Sequence, residues 1–213
     1  MRIPIAPEGY PFILPALLGI IIVWAAGFFW LEAVLLPLVA FVVAFFRDPE
    51  RRVPSDKDSI ISPADGKVIK VEHLRDDRFL KSEAQRISIF MNVFNVHVNR
   101  APASGRVKKI LYNKGKFFNA SLDKASLENE QNALIVEAEN GKTFAFNQIA
   151  GLIARRIVCY AKEGSKLIKG ERFGMIRFGS RVDVYLPKGC KVAVTVGDKV
   201  KAGSSILGYW HAR

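Results

Sequence analysis

Cysteine and histidine are both scarce in this 213-residue chain. The two cysteines, Cys159 and Cys190, have neither CxxC spacing nor the density of a disulfide scaffold, which excludes a zinc ribbon, a dithiol redox motif and a stapled secreted mini-domain. They read as free thiols of a reducing compartment. The three histidines, His73, His97 and His211, show no metal-ligand spacing, so no metal is expected. Negative charge is also short, with 20 Asp and Glu against 32 Lys and Arg and a formal charge of +12. That balance points to an anionic partner: nucleic acid, an acidic lipid surface or a phosphate-bearing substrate. Half the residues are apolar, which excludes disorder and allows one domain with a real core plus an accessory segment.

The apolar residues are concentrated at the N-terminus. Phe12 to Leu31 is a run of 20 residues without a charge, and after Glu32 a further 14 follow, Ala33 to Phe46. At roughly 1.5 Å per residue the first run spans about 30 Å, the thickness of a bilayer's hydrocarbon core. Residues 1–46 therefore read as a membrane-associating segment, either a spanning helix with an interfacial one or a hairpin bent near Gly27 or Glu32. Trp24 and Trp30 suit interfacial positions. The block Arg47-Asp-Pro-Glu-Arg-Arg52 is the basic flank expected on the cytoplasmic side. The length of the apolar region and the lack of a small-residue cleavage site disfavour a signal peptide.

From residue 47 to 213 the pattern changes to short apolar alternations broken by glycine turns, and no long amphipathic helix is written. Strands are predicted at Lys67–Glu72, Arg86–Asn99, Ala133–Ala138, Lys142–Asn147, Ile157–Ala161, Arg181–Leu186 and Lys191–Val196. The fold class is mainly β, a β-sandwich or barrel-sandwich-like domain behind a hydrophobic helical segment. Ser62-Pro-Ala-Asp-Gly-Lys-Val68 and Ala101-Pro-Ala-Ser-Gly-Arg-Val107 echo each other as turns feeding strands. The run Val196-Gly-Asp-Lys-Val-Lys-Ala-Gly203 resembles the turn-rich strands of biotinyl and lipoyl carrier domains, but no Met-Lys-Met displays a carrier lysine.

Three places could carry chemistry. In Phe94-Asn-Val-His-Val-Asn-Arg100, alternation puts Asn95, His97 and Asn99 on one face, and a histidine there can move protons near neutral pH; a hydrogen-bonded structural histidine fits the same pattern. Asp65 sits in an Asp-Gly turn, where an aspartate commonly bonds its own backbone, and a functional role requires a nucleophile or histidine beside it. Gly179-Ser180 precedes the alternating Val182, Val184 and Leu186. Most such pairs are ordinary turns, but glycine permits a backbone in which the Ser180 hydroxyl approaches the Gly179 carbonyl. Attack there turns the peptide into an ester. Loss of the carboxylate from the serine β-carbon then gives dehydroalanine, which hydrolyses to a pyruvoyl group and ammonia.

Taken in order, the hydrophobic N-terminus, Phe46-Arg-Asp-Pro-Glu-Arg51, Ser62-Pro-Ala-Asp-Gly66, Asn95-Val-His-Val-Asn-Arg-Ala-Pro102 and Arg177-Phe-Gly-Ser180 resemble the compact bacterial and archaeal form of the phosphatidylserine decarboxylases. The resemblance implies self-cleavage between Gly179 and Ser180 into a β chain, residues 1–179, and an α chain, residues 180–213, paired as an α/β heterodimer with higher oligomers open. It implies a covalent pyruvoyl cofactor derived from Ser180, with neither metal nor pyridoxal phosphate, that forms a Schiff base with the amine of phosphatidylserine. Carbon dioxide and phosphatidylethanolamine are the products. Asp65 corresponds to the family's aspartate implicated in self-processing and His97 to its histidine linked to processing or proton transfer. Longer relatives carry a second histidine where this chain has Arg100. The base that deprotonates Ser180 is thus open among His97, Asp65 and another group, and Arg100 becomes a candidate for gripping phosphate or carboxylate. Phe117 and Phe118 are candidates for the substrate channel. A basic surface beside a hydrophobic anchor suits an enzyme at the cytoplasmic side of the cell membrane, without nucleic acid as a partner.

Three rivals follow from the same residues. One is a membrane-tethered carrier-like domain that never cleaves itself. Another is a pyruvoyl decarboxylase acting on archaetidylserine or on a soluble amine. The third, a basic nucleic-acid binder, is the weakest, since the Lys and Arg residues are dispersed and no recognition module is present.

Overall fold

The computed structural model describes residues 4–115, 120, 128–151, 156–177 and 179–211. The chain divides into two compact units, Met1–Glu50 and Arg51–Arg213.

The first unit is a helical hairpin of α1 (Tyr10–Ala25) and α2 (Phe29–Phe45). Of the two bends written into the sequence, the chain uses Gly27, whose φ of 75° is readily adopted only by glycine. Glu32 instead stands in the first turn of α2, where a carboxylate complements the helix dipole. The hairpin's open end is closed by Phe12 stacked on Phe46 with ring centroids 5.4 Å apart, and by backbone bonds from Ala6 to Phe46 and from Asp48 to Pro4. Pro7–Ala25 is long and apolar enough to cross a membrane. Trp24 and Trp30 are exposed on either side of the bend.

The second unit is β-structure: β1 (Ser59–Ile61), β2 (Gly66–Asp76), β3 (Ser82–Met91), β4 (Val98–Arg100), β5 (Gly105–Asn113), β6 (Gln131–Ala138), β7 (Thr143–Ala150), β8 (Ile157–Cys159), β9 (Lys166–Leu167), β10 (Arg172–Ile176), β11 (Ser180–Pro187), β12 (Lys191–Val192), β13 (Lys199–Val200) and β14 (Ile206–Tyr209). Eight of them form an antiparallel sheet in the order β13-β2-β3-β11-β7-β6-β5-β9, and two three-stranded sheets, β1-β14-β12 and β4-β10-β8, accompany it. One core gathers Val68, Ile87, Ile89, Leu134, Phe146, Val182 and Val184 from the large sheet with Ile60, Phe173, Ile176 and Leu207 from the small ones. The central strand β11 alternates as its sequence predicts, Val182, Val184 and Leu186 facing this core. Its other face is buried too, Tyr185 packing with Phe79, Ala133 and Ala145.

The sequence echo is a structural duplication. β2 and β5 each begin at the glycine of the repeated turn, and each bulges just past the repeat's valine, between Val68 and Lys70 and between Val107 and Lys109. The Val68 and Val107 amides donate to Asp198 and Ser165, and their carbonyls accept from Gly197 and Gly164. Gly203 N donates to Ser62 as Gly170 N donates to Ala101. The carrier-like run 196–203 therefore has a counterpart in residues 163–170, and each braces one half of the sheet.

Two sequence expectations need correction. Arg86–Asn99 is not one strand: β3 ends at Met91, where Asn92 accepts the Phe94 amide on its side chain and Asn95 returns a side-chain carbonyl to the Asn92 amide. Such Asx turns let a side chain outcompete the β ladder. The Lys191–Val196 strand shortens to two residues.

Candidate active site

Ser180 opens β11 and is fully buried. Its ladder partners are Met91 on β3 and Ala150 on β7, so it stands in the middle of the sheet at one end of the strands. Its hydroxyl donates to Met91 Sδ at 3.3 Å, a weak acceptor and no base. Gly179 has φ of 62°, the left-handed region that other residues enter at a cost. The Gly179 carbonyl lies against Gly151, where a Cβ would come within 2.2 Å of its oxygen.

His97 borders the strand that leads to Ser180. Its carbonyl accepts the Ile176 amide at 3.4 Å, which ties it to the strand leading into Gly179-Ser180. The ring is fully buried and Nδ1 lies 2.9 Å from the Asn95 carbonyl. A carbonyl can only accept, so in the neutral ring Nδ1 holds the proton and Nε2 is the basic atom. Asn99, two residues on, reaches the same sulfur as Ser180 at 3.8 Å and also donates to Pro63 O. Its Oδ1 accepts from Gln148 Nε2 at 2.9 Å, and Gln148 Oε1 in turn accepts from Asn132. A chain of neutral amides thus runs through the core to the Ser180 side of β11. The neighbouring charges lie on the strand's other face, where Arg181 Nη2 donates to Asp183 Oδ2 at 3.0 Å and Nε stands 2.8 Å from Oδ1.

Asp65 takes a different role. Arg51 Nη2 grips both carboxylate oxygens at 3.0 and 2.8 Å, and Ala202 N donates to Oδ1 at 2.7 Å. In the other half of the duplication Ser104 Oγ accepts the Lys169 amide at 3.0 Å, so Asp65 and Ser104 brace equivalent turns. Gly66 lies against the Phe90 carbonyl and Phe90 pairs with Arg181. Asp65 is therefore at the Ser180 end of the sheet but two strands away, about 10 Å by strand spacing. Arg51, expected on an exposed basic flank, is instead about 10% exposed in this pair. Arg100 Nη1 donates to Gly170 O at 3.0 Å and its Cδ packs at Gly203, the turns that brace β2 and β5.

The fold sets Ser180 against Met91 and ties the His97 backbone to the strand before Gly179, while Asp65 and Arg100 join the neighbouring brace. Phe117 and Phe118 lie outside the described residues. Sequence reading passed over Met91, Gln148, Gly151 and the role of Asn99. Asn99 shared the polar face of His97, and Gln148 formed with Asn147 a polar pair inside a buried strand; Met91 carried no signal. Among the described residues no three His, Cys, Asp or Glu side chains gather to hold a metal. A cleft of about 480 Å³ lies at the opposite end of the sheet, bordered by Ser104, Ala138, Asn140, Lys169 and Trp210.

Comparison with known proteins gives a consistent result. Residues 38–208 match the family described as phosphatidylserine decarboxylase. A phosphatidylserine decarboxylase proenzyme of Aromatoleum aromaticum is 52% identical over 204 residues, covering 95% of this chain and 94% of that protein. Proenzymes of the same description from Burkholderia mallei and Burkholderia ambifaria are 51% identical over 203 residues and 50% over 209, with the same coverage.

Proposed function

The chain belongs to the phosphatidylserine decarboxylase family and is the proenzyme of a decarboxylase that converts phosphatidylserine to phosphatidylethanolamine and carbon dioxide; we propose that its self-cleavage falls between Gly179 and Ser180. The observation that carries this reading is the burial of Ser180 directly after a glycine of φ 62°. A buried hydroxyl directly after a left-handed glycine supports an attack on the preceding carbonyl in a site that bulk water does not enter.

The steps assign roles to this chain's residues. Ser180 Oγ attacks the Gly179 carbonyl carbon and gives up its proton to a base, for which His97 Nε2 is our candidate. The Gly179–Ser180 C–N bond breaks, the proton passes to the Ser180 nitrogen, and an ester remains. Removal of the Ser180 α-proton expels the Gly179 carboxylate from the β-carbon, and water replaces nitrogen as ammonia leaves. The resulting pyruvoyl ketone supplies the electron sink for breaking the substrate's carboxyl bond. The residues present fit that group: Met91, Ala150, Gln148 and Asn99 give its surroundings neutral polar and apolar atoms rather than fixed charge. A carboxylate brought there is poorly solvated, which favours its loss as neutral carbon dioxide. We assign the return of a proton to His97, and the Asp65–Arg51 pair holds the turn that carries β2.

Cleavage also explains how lipid gains entry. The intact chain seals Ser180, and release of the Gly179 end opens the space the headgroup must occupy. Residues 1–50 hold two Arg against four acidic residues, so the catalytic unit carries the whole positive excess, a formal +14. This supports a catalytic domain working against an acidic lipid surface, on the cytoplasmic side, with the apolar hairpin as anchor.

The test is intact mass spectrometry of native protein and Ser180→Ala. The native protein should give a chain ending at Gly179 and a pyruvoyl-blocked chain of 34 residues, 180–213. A Ser180→Ala protein cut at the same bond would end the assignment.

A further inference from the structure

Gly151 follows β7 and faces Gly179 across the ladder, next to the Ala150–Ser180 pair. A Cβ there would lie 2.2 Å from the Gly179 oxygen and 3.0 Å from its carbon. Four glycines elsewhere in the sheets, Gly66, Gly105, Gly174 and Gly208, crowd a partner carbonyl in the same way, so the packing itself is ordinary. What differs at Gly151 is the carbonyl, since this one is the proposed electrophile. In the attack its carbon becomes tetrahedral and its oxygen takes on negative charge, and both need room on the side where Gly151 offers only a hydrogen.

We propose that Gly151 is a positioning residue for self-cleavage: its bare Cα is the floor on which the scissile carbonyl rests at the distance and angle that Ser180 Oγ needs. The inference rests on the Gly179–Ser180 reading and deepens it. Relieving a 2.2 Å contact requires the carbonyl to retreat by about 1 Å, and a misplacement of about 1 Å costs roughly a hundredfold in rate.

The experiment follows precursor conversion by intact mass in wild type, Gly151→Ala and Gly105→Ala. The last is a matched control, because its Cβ would meet the Glu137 carbonyl at 2.4 Å at the far end of the sheet. Brief hydroxylamine treatment, which cuts esters, reports whether the acyl shift has occurred. Gly151→Ala should convert at least about a hundredfold more slowly and yield no hydroxylamine-released fragment, while Gly105→Ala loses thermal stability yet converts near the wild-type rate. Conversion of Gly151→Ala within about threefold of wild type overturns the proposal, as does an equal block in Gly105→Ala. Folding is checked by thermal unfolding in the uncut Ser180→Ala background. If Gly151→Ala unfolds there within a few degrees of its parent, the block is geometric; if it does not fold, Gly151 is a packing residue and the proposal fails. A wild-type chain uncut at Gly179–Ser180 would instead refute the underlying reading.

Discussion

Replacing Gly179 isolates backbone conformation from crowding. Its φ is 62° and a Cβ built there meets nothing within 4 Å, so alanine adds no clash and changes only the cost of the left-handed conformation. For an ordinary residue that cost is about 1–2 kcal/mol, so the attack-ready population should fall roughly 5- to 30-fold. Asparagine tolerates this region better than alanine, and a β-branched valine tolerates it worse. The expected order of conversion rates is therefore Gly, Asn, Ala, Val, read as disappearance of the full-length mass after synthesis of each variant. Gly141 supplies the control. It has φ of 79° in the β6–β7 turn and likewise meets nothing within 4 Å, so Gly141→Ala should lose similar stability and leave conversion unchanged. Conversion of Gly179→Ala at or above the wild-type rate would refute the reasoning, because it would mean that attack starts from a conformation alanine holds equally well.

Other outcomes follow from the same geometry. Burial, with the nearby Asp183 charge, pushes the Tyr185 hydroxyl up to about 12, and burial pushes the Cys190 thiol up to about 11. Both groups bind protons more tightly folded than unfolded, so their contribution is complete below pH 9 and is lost as pH rises from about 9 to 12. Thermal unfolding temperatures should fall across that window, and Cys190→Ala should flatten the lower part of the fall. Cys190 should also resist iodoacetamide at pH 8 in the native protein and react once denaturant is added. Asp65→Ala strands the buried Arg51 and should cost about 3–5 kcal/mol in denaturant unfolding. The double variant Arg51→Met, Asp65→Ser rebuilds the brace that Ser104 makes in the other half and should recover most of that loss; failure to recover would show that Asp65 does more than brace.

Much of this was legible in residues. The apolar N-terminus announced a helical segment, with a hairpin as one of two readings, because length and hydropathy are local properties, and strand alternation placed Val182, Val184 and Leu186 in the core. The repeated turns announced their strands because Asp-Gly and Ser-Gly fix a backbone with few alternatives. Less legible was anything set by partners distant in sequence. Alternation says which residues share a face with His97, but it cannot say that β4 is covered on both faces. Arg51 looked like a membrane flank because the chain nearby is basic, and only the fold brings Asp65 to meet it. Met91 and Gly151 reach Ser180 from 89 and 29 positions away, and neither residue type announces chemistry.

The duplication sharpens what is special about the reactive end. Following the ladder from Lys67 to Phe90 to Arg181, and from Arg106 to Glu137 to Thr143, places β11 and β7 in equivalent positions, and Gly179 then corresponds to Gly141. Both glycines have positive φ, so the backbone conformation of Gly179 recurs at the ordinary hairpin turn of Gly141. Three differences separate the two ends. A serine follows the glycine at one end and Lys142 at the other. At the reactive end the Met91 sulfur meets the hydroxyl and His97 is bonded to the strand leading in, and its brace carries a buried ion pair where the other has a serine. A left-handed glycine at this place is therefore common to both halves, and the proposed self-cleavage requires what only one half supplies, a serine after that glycine with Gly151 leaving room beside its carbonyl.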